Sequence, residues 1–314
     1  MCSTPCWIPA SDIEDCMKTD FFNLPMPATA PNTAPSPKGP GQFRAQLTRG
    51  PAAVALAIFA TVVLLALFAP LLGTVDPVAI DPSQRLAPIS ADHWLGTDVF
   101  GRDTYSRVLY GARVSLIIGL GAMVASIALG LVIGVVAGYF RVADAIVMRV
   151  MDGVMAIPGI LLAIALVSLT GSTLLTVLVA ITVPEVPRVV RLVRGVILGV
   201  RSEPYVEAAI ALGARAPRLL LRHMVPATVA PLIVQGTYIF ASAILTEATL
   251  SFLGAGLPSE TPSWGNITAD GRAYFLLFPG LILYPGIILA LTLLSVNVLG
   301  DMLRDMLDPR SGKR

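Results

Sequence analysis

The chain reads as an all-α polytopic membrane protein with six transmembrane helices. Three observations predict that class. Of its 314 residues, 55% are hydrophobic and only 13% are charged, about half the charged share of a soluble domain. The mean hydropathy is +0.77, and several uncharged runs reach the roughly 20 residues that span a hydrocarbon core. The basic residues, finally, gather in alternate connections between those runs.

The elements follow in order. Residues 1–50 form a separate region, a Pro-rich segment with Pro25, Pro27, Pro31, Pro35, Pro37 and Pro40 among Ala, Thr, Ser and Asn. Such a composition buries too little apolar surface to offset its ordering entropy, so a disordered cytoplasmic tail is expected. Cys2, Cys6 and Cys16 all lie there without a histidine, and this spacing is not that of a zinc site. The first span is 52–72 and the second 114–138. The apolar run 153–183 is interrupted by Thr170-Gly171-Ser172-Thr173, which divides it into a third span ending near Leu169 and a fourth beginning near Thr173. The fifth span covers 224–253, and the sixth lies within 273–300. As regions, 51–113 hold the first helix and an external segment, 114–310 a core domain, and 311–314 the C-terminal end.

An even number of spans puts both termini on one side. The tail, the 141–149 connection, the stretch 188–222 and the C-terminus carry 17 of the 22 Lys and Arg residues. By the positive-inside tendency that side is the cytosol. The five remaining arginines, Arg85, Arg102, Arg107, Arg113 and Arg272, fall outside. In the second span Ala122, Ser126, Gly130, Gly134 and Gly138 recur every fourth residue, a stripe that lets another helix backbone approach closely.

The longest internal loop carries the sharpest signal. Residues 205–212 favour a helix, with Glu207 in the first turn where the dipole welcomes an acid. Ala208 and Ala209 offer a nearly bare face, and Gly213 suits the left-handed residue that ends a helix. Pro217 fits the first turn of a second short helix, followed by Arg218, Arg222 and His223, and Pro226 marks the start of the fifth span. A solvated basic connector would need neither the alanine pair nor a positioned glycine. A docking elbow for another protein needs both.

Other polar residues are weighed singly. Asp152 is expected as a solvated or paired helix-end acid, and Glu185 as an ion-pair partner among Arg188 and Arg191. Glu247 lies deep in the fifth span, where a charge is expensive; a pathway role and a buried hydrogen bond or ion pair both remain open. His93 and His223 are the only histidines, and neither has the companions that a metal site needs. Gly96 and Gly101 predict tight turns in the segment after the first span.

Several blocks together resemble one family. Tyr205-Val206-Glu207-Ala208-Ala209, Leu212-Gly213-Ala214, Arg222-His223 and Pro226 are similar to the EAA loop of dipeptide, oligopeptide and nickel permeases of binding-protein-dependent ABC importers. His93-Trp94-Leu95-Gly96-Thr97-Asp98, Gly101-Arg102-Asp103, Ser106-Arg107 and Gly111-Ala112-Arg113 resemble the external segment of that family's C-type subunit. Leu250-Ser251-Phe252-Leu253-Gly254, Pro262-Ser263-Trp264-Gly265 and Leu307-Asp308-Pro309-Arg310 resemble later blocks. In place of the family's aromatic-proline step, span four has Val183-Pro184-Glu185-Val186-Pro187.

The resemblance implies a type I ABC importer transmembrane domain in a bacterial cytoplasmic membrane. It implies a heterodimer with a second permease, two ATPase subunits and an extracytoplasmic substrate-binding protein. Glu207, Ala208, Ala209, Gly213, His223 and Pro226 would couple to the ATPase, and His93, Gly96, Asp98, Arg102 and Asp103 would build the external segment. Peptide is the cargo implied, with nickel chelates or haem as alternatives. ATP and magnesium would be used by the partner ATPases, because Ser311-Gly312-Lys313-Arg314 lacks the first glycine and the hydroxyl residue of a phosphate-cradling loop. With no catalytic constellation, no inverted repeat and no basic run interleaved with aromatics, a membrane hydrolase, a secondary transporter and a nucleic-acid binder are all disfavoured.

Overall fold

The computed structural model describes residues 50–307. The Pro-rich tail with its three cysteines, and Asp308-Pro309-Arg310 with the C-terminal end, lie outside the described residues. Among the described residues there is no β-strand, only an isolated bridge between Thr97 and Asp103.

Helix α1 is Pro51–Leu67, shorter than the expected 52–72 because the chain tightens into a 3-10 turn at Ala69–Leu71. Helix α2, Thr104–Tyr139, is longer than expected. Asp103 caps it by accepting from the Ser106 backbone N–H at 2.8 Å and from the Ser106 hydroxyl at 2.6 Å. Ser106 to Arg113, read from sequence as part of a connection, are therefore its first turns.

The third span differs most from expectation. Helix α3, Arg141–Met155, is followed after Pro158 by α4, Gly159–Thr170, at an angle of 87°. A proline has no N–H for the helical ladder and pushes the residue before it out of helical geometry, so one continuous span from Gly153 is not formed. Helix α5, Leu174–Arg201, begins where predicted, with Thr173 and Thr176 in a capping box, and runs through both Pro184 and Pro187. Two short helices follow, α6 (Pro204–Ala211) and α7 (Ala216–Leu219). A π-helical turn, Leu220–Met224, leads into α8, Val225–Phe252. The short α9, Trp264–Gly271, precedes α10, Gly280–Leu307.

Helices α2, α8 and α10, the second of these taken with α7 and the π turn before it, are long and apolar enough to cross a membrane, as is the bent α3–α4 pair if counted as one span. Six spans require α1, an apolar helix of 17 residues, and α5, which carries Glu185, Arg188, Arg191 and Arg194.

The small-residue stripe of α2 packs on α5. A Cβ at Gly130 would lie 2.5 Å from the Val189 side chain, and at Gly134 or Gly138 it would lie 2.7 Å from Val193 or Ile197. Only glycine allows this approach. Around it, Val189, Val193, Ile197, Val206, Leu219, Met224, Leu232 and Ile239 make one apolar cluster that joins the loop helices to the bundle.

Candidate functional site

The loop forms the predicted elbow. Gly213 has φ +79°, the left-handed conformation that L side chains avoid. It closes α6 with both bonds of a Schellman motif: Gly213 N–H donates to the Ile210 carbonyl at 2.9 Å and Ala214 N–H to the Ala209 carbonyl at 3.0 Å. Val206 and Leu219 anchor the two short helices inside the apolar cluster. Pro217 sits in the first turn of α7 and Pro226 in that of α8, as their sequence positions predict.

The two alanines divide their roles. Ala208 is exposed beside Glu207, whereas Ala209 is half-buried against the core cluster. The bare face is therefore Ala208 alone, framed by outward Tyr205, Ile210, Leu212 and Leu221, of which Leu212 is 88% exposed. His223, in the π turn, packs its ring 6.0 Å from that of Tyr205, which ties the start of α8 back to α6. The elbow thus presents apolar side chains around Glu207, with Arg215, Arg218 and Arg222 also exposed, on a frame fixed to α5 and α8.

At the other end of α2 the predicted external residues form a clasp. Asp98 accepts from the Phe100 and Arg102 backbone N–H groups at 2.8 and 2.9 Å and from Arg102 Nε at 2.6 Å. Arg102, 3% exposed, also donates to the Ser259 carbonyl at 3.0 Å and to Asp270 Oδ2 at 2.8 Å. Arg107, wholly buried, lies 3.6 Å from Asp98 and 3.5 Å from Asp270. Two guanidiniums and two carboxylates therefore join residues 98–107 to residues 259–270. Burial pushes the Asp270 carboxyl above its ordinary range, opposed by the attraction of Arg107 and Arg102. His93 Nδ1 lies 3.0 Å from the Asp103 carboxylate that caps α2. Gly96 and Gly101 have φ +74° and +77°, and at Gly101 a Cβ would come within 1.8 Å of the Asp81 carbonyl. The turns predicted there are real and leave no room for a side chain.

Glu247 is fully buried between α2, α8 and the start of α9. It accepts from the hydroxyls of Ser263 at 2.8 Å, Ser251 at 2.9 Å and Ser115 at 3.4 Å. Glu185 pairs with Arg188 at 2.9 Å and accepts from Ser242 at 3.1 Å. Arg191, expected beside it, pairs instead with Asp152 at 2.5 Å. Sequence reasoning missed Asp270 and the clasp role of Arg107, because Asp270 lies more than 150 residues from both arginines, and it missed Asn266, whose partners are carbonyls of the preceding loop. Asn266 donates to the Leu257, Pro258 and Thr261 carbonyls and so folds the loop beneath the clasp.

Residues 126–313 match the model of the binding-protein-dependent transport system inner membrane component. The chain belongs to that family. This permease is 56% identical over 251 residues, 80% of its own length and 86% of the other's, to a probable peptide ABC transporter permease, y4tQ, of Sinorhizobium fredii. It is 40% identical to the dipeptide transport system permease DppC of Alkalihalophilus pseudofirmus, covering 82% and 86% of the two chains. To the oligopeptide transport system permease OppC of Bacillus subtilis it is 37% identical, over 83% and 86%. Among solved structures, a chain of the MetNI methionine ABC transporter in an inward-facing form superposes with a TM-score of 0.53 at 17% identity, over 64% of this chain and 96% of that one. That likeness concerns the fold alone.

Proposed function

We propose that this chain is one of two permease subunits that form the translocation pathway of a peptide-importing ABC transporter. The observation that carries this reading is the elbow, an apolar projection built on a Schellman turn and rigidly joined to two long helices, in a chain 56% identical to a probable peptide permease. Its partners are a second permease, two ATPases that hydrolyse ATP with magnesium, and an extracytoplasmic binding protein that delivers cargo. Glu207, Ala208, Leu212 and Leu221 meet the ATPase, while Ala209, Gly213, His223 and Pro226 hold the elbow in shape. Both termini and the elbow face the cytosol, in keeping with the distribution of Lys and Arg. His93, Gly96, Asp98, Arg102 and Asp103 brace from within the external segment that lies beneath the binding protein, and Glu247 holds α2, α8 and α9 together.

Co-purification from native membranes tests the partners. A tagged chain is expected to bring down a second permease and an ATPase, and to lose the ATPase when Leu212 and Leu221 are replaced by Asp. Retention of the ATPase by that double variant refutes the docking face.

A further inference from the structure

The middle of helix α5 is enclosed by its neighbours except at one charged residue. Between Ala180 and Val190 the only exposed residue is Arg188, whose side chain is 45% exposed. At 1.5 Å per residue, Arg188 lies about 21 Å from the Leu174 end of α5 and about 20 Å from the Arg201 end. The sequence placed it in the basic loop. The structure places it halfway along α5, one of the two further helices that six spans require, which leaves 16 of the 17 basic residues on the cytosolic side and the orientation unchanged.

The surroundings say what the opening faces. Tyr238, half-exposed on α8 at matching depth, lies 5.9 Å below the guanidinium. One turn along the same face of α5 is Pro184, and the Pro158–Gly159 break between α3 and α4 packs on it; a Cβ at Gly159 would meet Pro184 at 3.3 Å. Ala156, Ile157 and Pro158 at that break are exposed. Irregular backbone is not left open to lipid at this depth, and intramembrane arginines face protein or water. This side of α5 therefore does not face lipid.

We infer that Arg188 is a carboxylate-binding residue inside the pathway, a mid-membrane station for the cargo's carboxylate. The inference rests on the peptide-importer reading above. Both oxygens of Glu185 engage Nη1 alone, at 2.9 and 3.1 Å; Nε and Nη2 make no hydrogen bond among the described residues. That leaves two adjacent donors in the planar fork that suits a carboxylate. Glu185, buried and steadied by the Ser242 hydroxyl at 3.1 Å, keeps the station neutral overall. Neutrality matters because a transport site must bind weakly enough to release. An uncompensated arginine would hold an anion too well.

The test uses the whole importer, both permeases, the ATPases and the binding protein, in proteoliposomes, with radiolabelled dialanine as probe. In a chain without Cys2, Cys6 and Cys16, an Arg188→Cys thiol should react with an anionic, membrane-impermeant thiosulfonate within tenfold of the rate at an exposed Arg215→Cys control. Arg188→Gln should lower dialanine uptake at least tenfold with the affinity of the binding protein unchanged, and Arg188→Lys should restore part of it. An unreactive thiol in the assembled complex, or wild-type uptake by Arg188→Gln, overturns the inference. Loss of the second permease in Arg188→Gln, recovered in Arg188→Lys, makes the residue a subunit contact and also overturns it. A wild-type importer that takes up no dialanine refutes the peptide reading and the carboxylate station with it, whereas failure of Arg188 alone leaves wild-type uptake intact.

Discussion

Replacing Gly213 isolates the geometry of the elbow from its packing. A Cβ at Gly213 meets nothing within 4 Å, so a substitution there costs no overlap and leaves the bundle undisturbed. What it costs is backbone strain: an L residue held at φ +79° loses about 1–2 kcal/mol, and a β-branched one more. The alternative is to leave the left-handed region and break the two Schellman bonds, at about 1 kcal/mol each. Either route costs about 2 kcal/mol, which lowers the population of the formed elbow roughly 30-fold. The assay is cargo-stimulated ATP hydrolysis by reconstituted complexes. Gly213→Asn should keep most of it, since Asn tolerates the left-handed region; Gly213→Ala should lose part and Gly213→Val nearly all, each with normal membrane insertion. Full stimulation in the Gly213→Val complex refutes the reasoning.

Three further outcomes are expected. In a chain without the tail cysteines, Glu260→Cys should be labelled by an impermeant thiol reagent from outside and Arg215→Cys only after permeabilisation; the reverse pattern overturns the orientation. Both positions are exposed, whereas Ser263 beside Glu260 is wholly buried against Glu247 and would report nothing. Arg102→Met leaves the Asp98 and Asp270 carboxylates short of a partner, a loss of about 3–5 kcal/mol; a melting temperature of the detergent-solubilised chain equal to wild type would contradict the clasp. Glu247→Leu strands three serine hydroxyls at about 1–3 kcal/mol each and should lower the same melting temperature, while Glu247→Gln keeps an acceptor oxygen and should preserve uptake. Lost uptake in a stably folded Glu247→Gln chain would instead favour a direct part in transport.

The elbow was legible residue by residue because its determinants are local. Gly213, Pro217 and Pro226 act on their own backbone, and their positions alone predicted the turn and both helix starts. The small-residue stripe was legible for a related reason, since a four-residue period fixes a helix face. Two boundaries were missed where a local cue was outweighed by composition: Asp103 with Ser106 marks the start of α2, but the apolar run begins only at Val114, and Pro158 cuts a stretch that hydropathy treats as continuous. The clasp is of another kind. Arg102 and Asp270 are 168 residues apart, and no spacing rule reaches that far. Arg188 was misplaced because charge was taken as a sign of the loop, while both prolines beside it stay inside the helix.

Helix α2 alone runs unbroken from the clasp to the elbow. Its 36 residues span about 54 Å, with Asp103 at one end and, at the other, the Tyr139 carbonyl accepting from Arg201 at 3.2 Å. Three of its neighbours contain prolines: α3–α4 turns by 87° at Pro158, α5 carries Pro184 and Pro187, and α8 carries Pro231. Each proline removes a rung of the helical ladder, so those helices are the more compliant, and α2, with no interior proline, is the stiff member against which they flex. A load applied at the elbow travels along a strut rather than through a soft core, so the two ends of the molecule share one mechanical reference although no side chain reaches from one to the other.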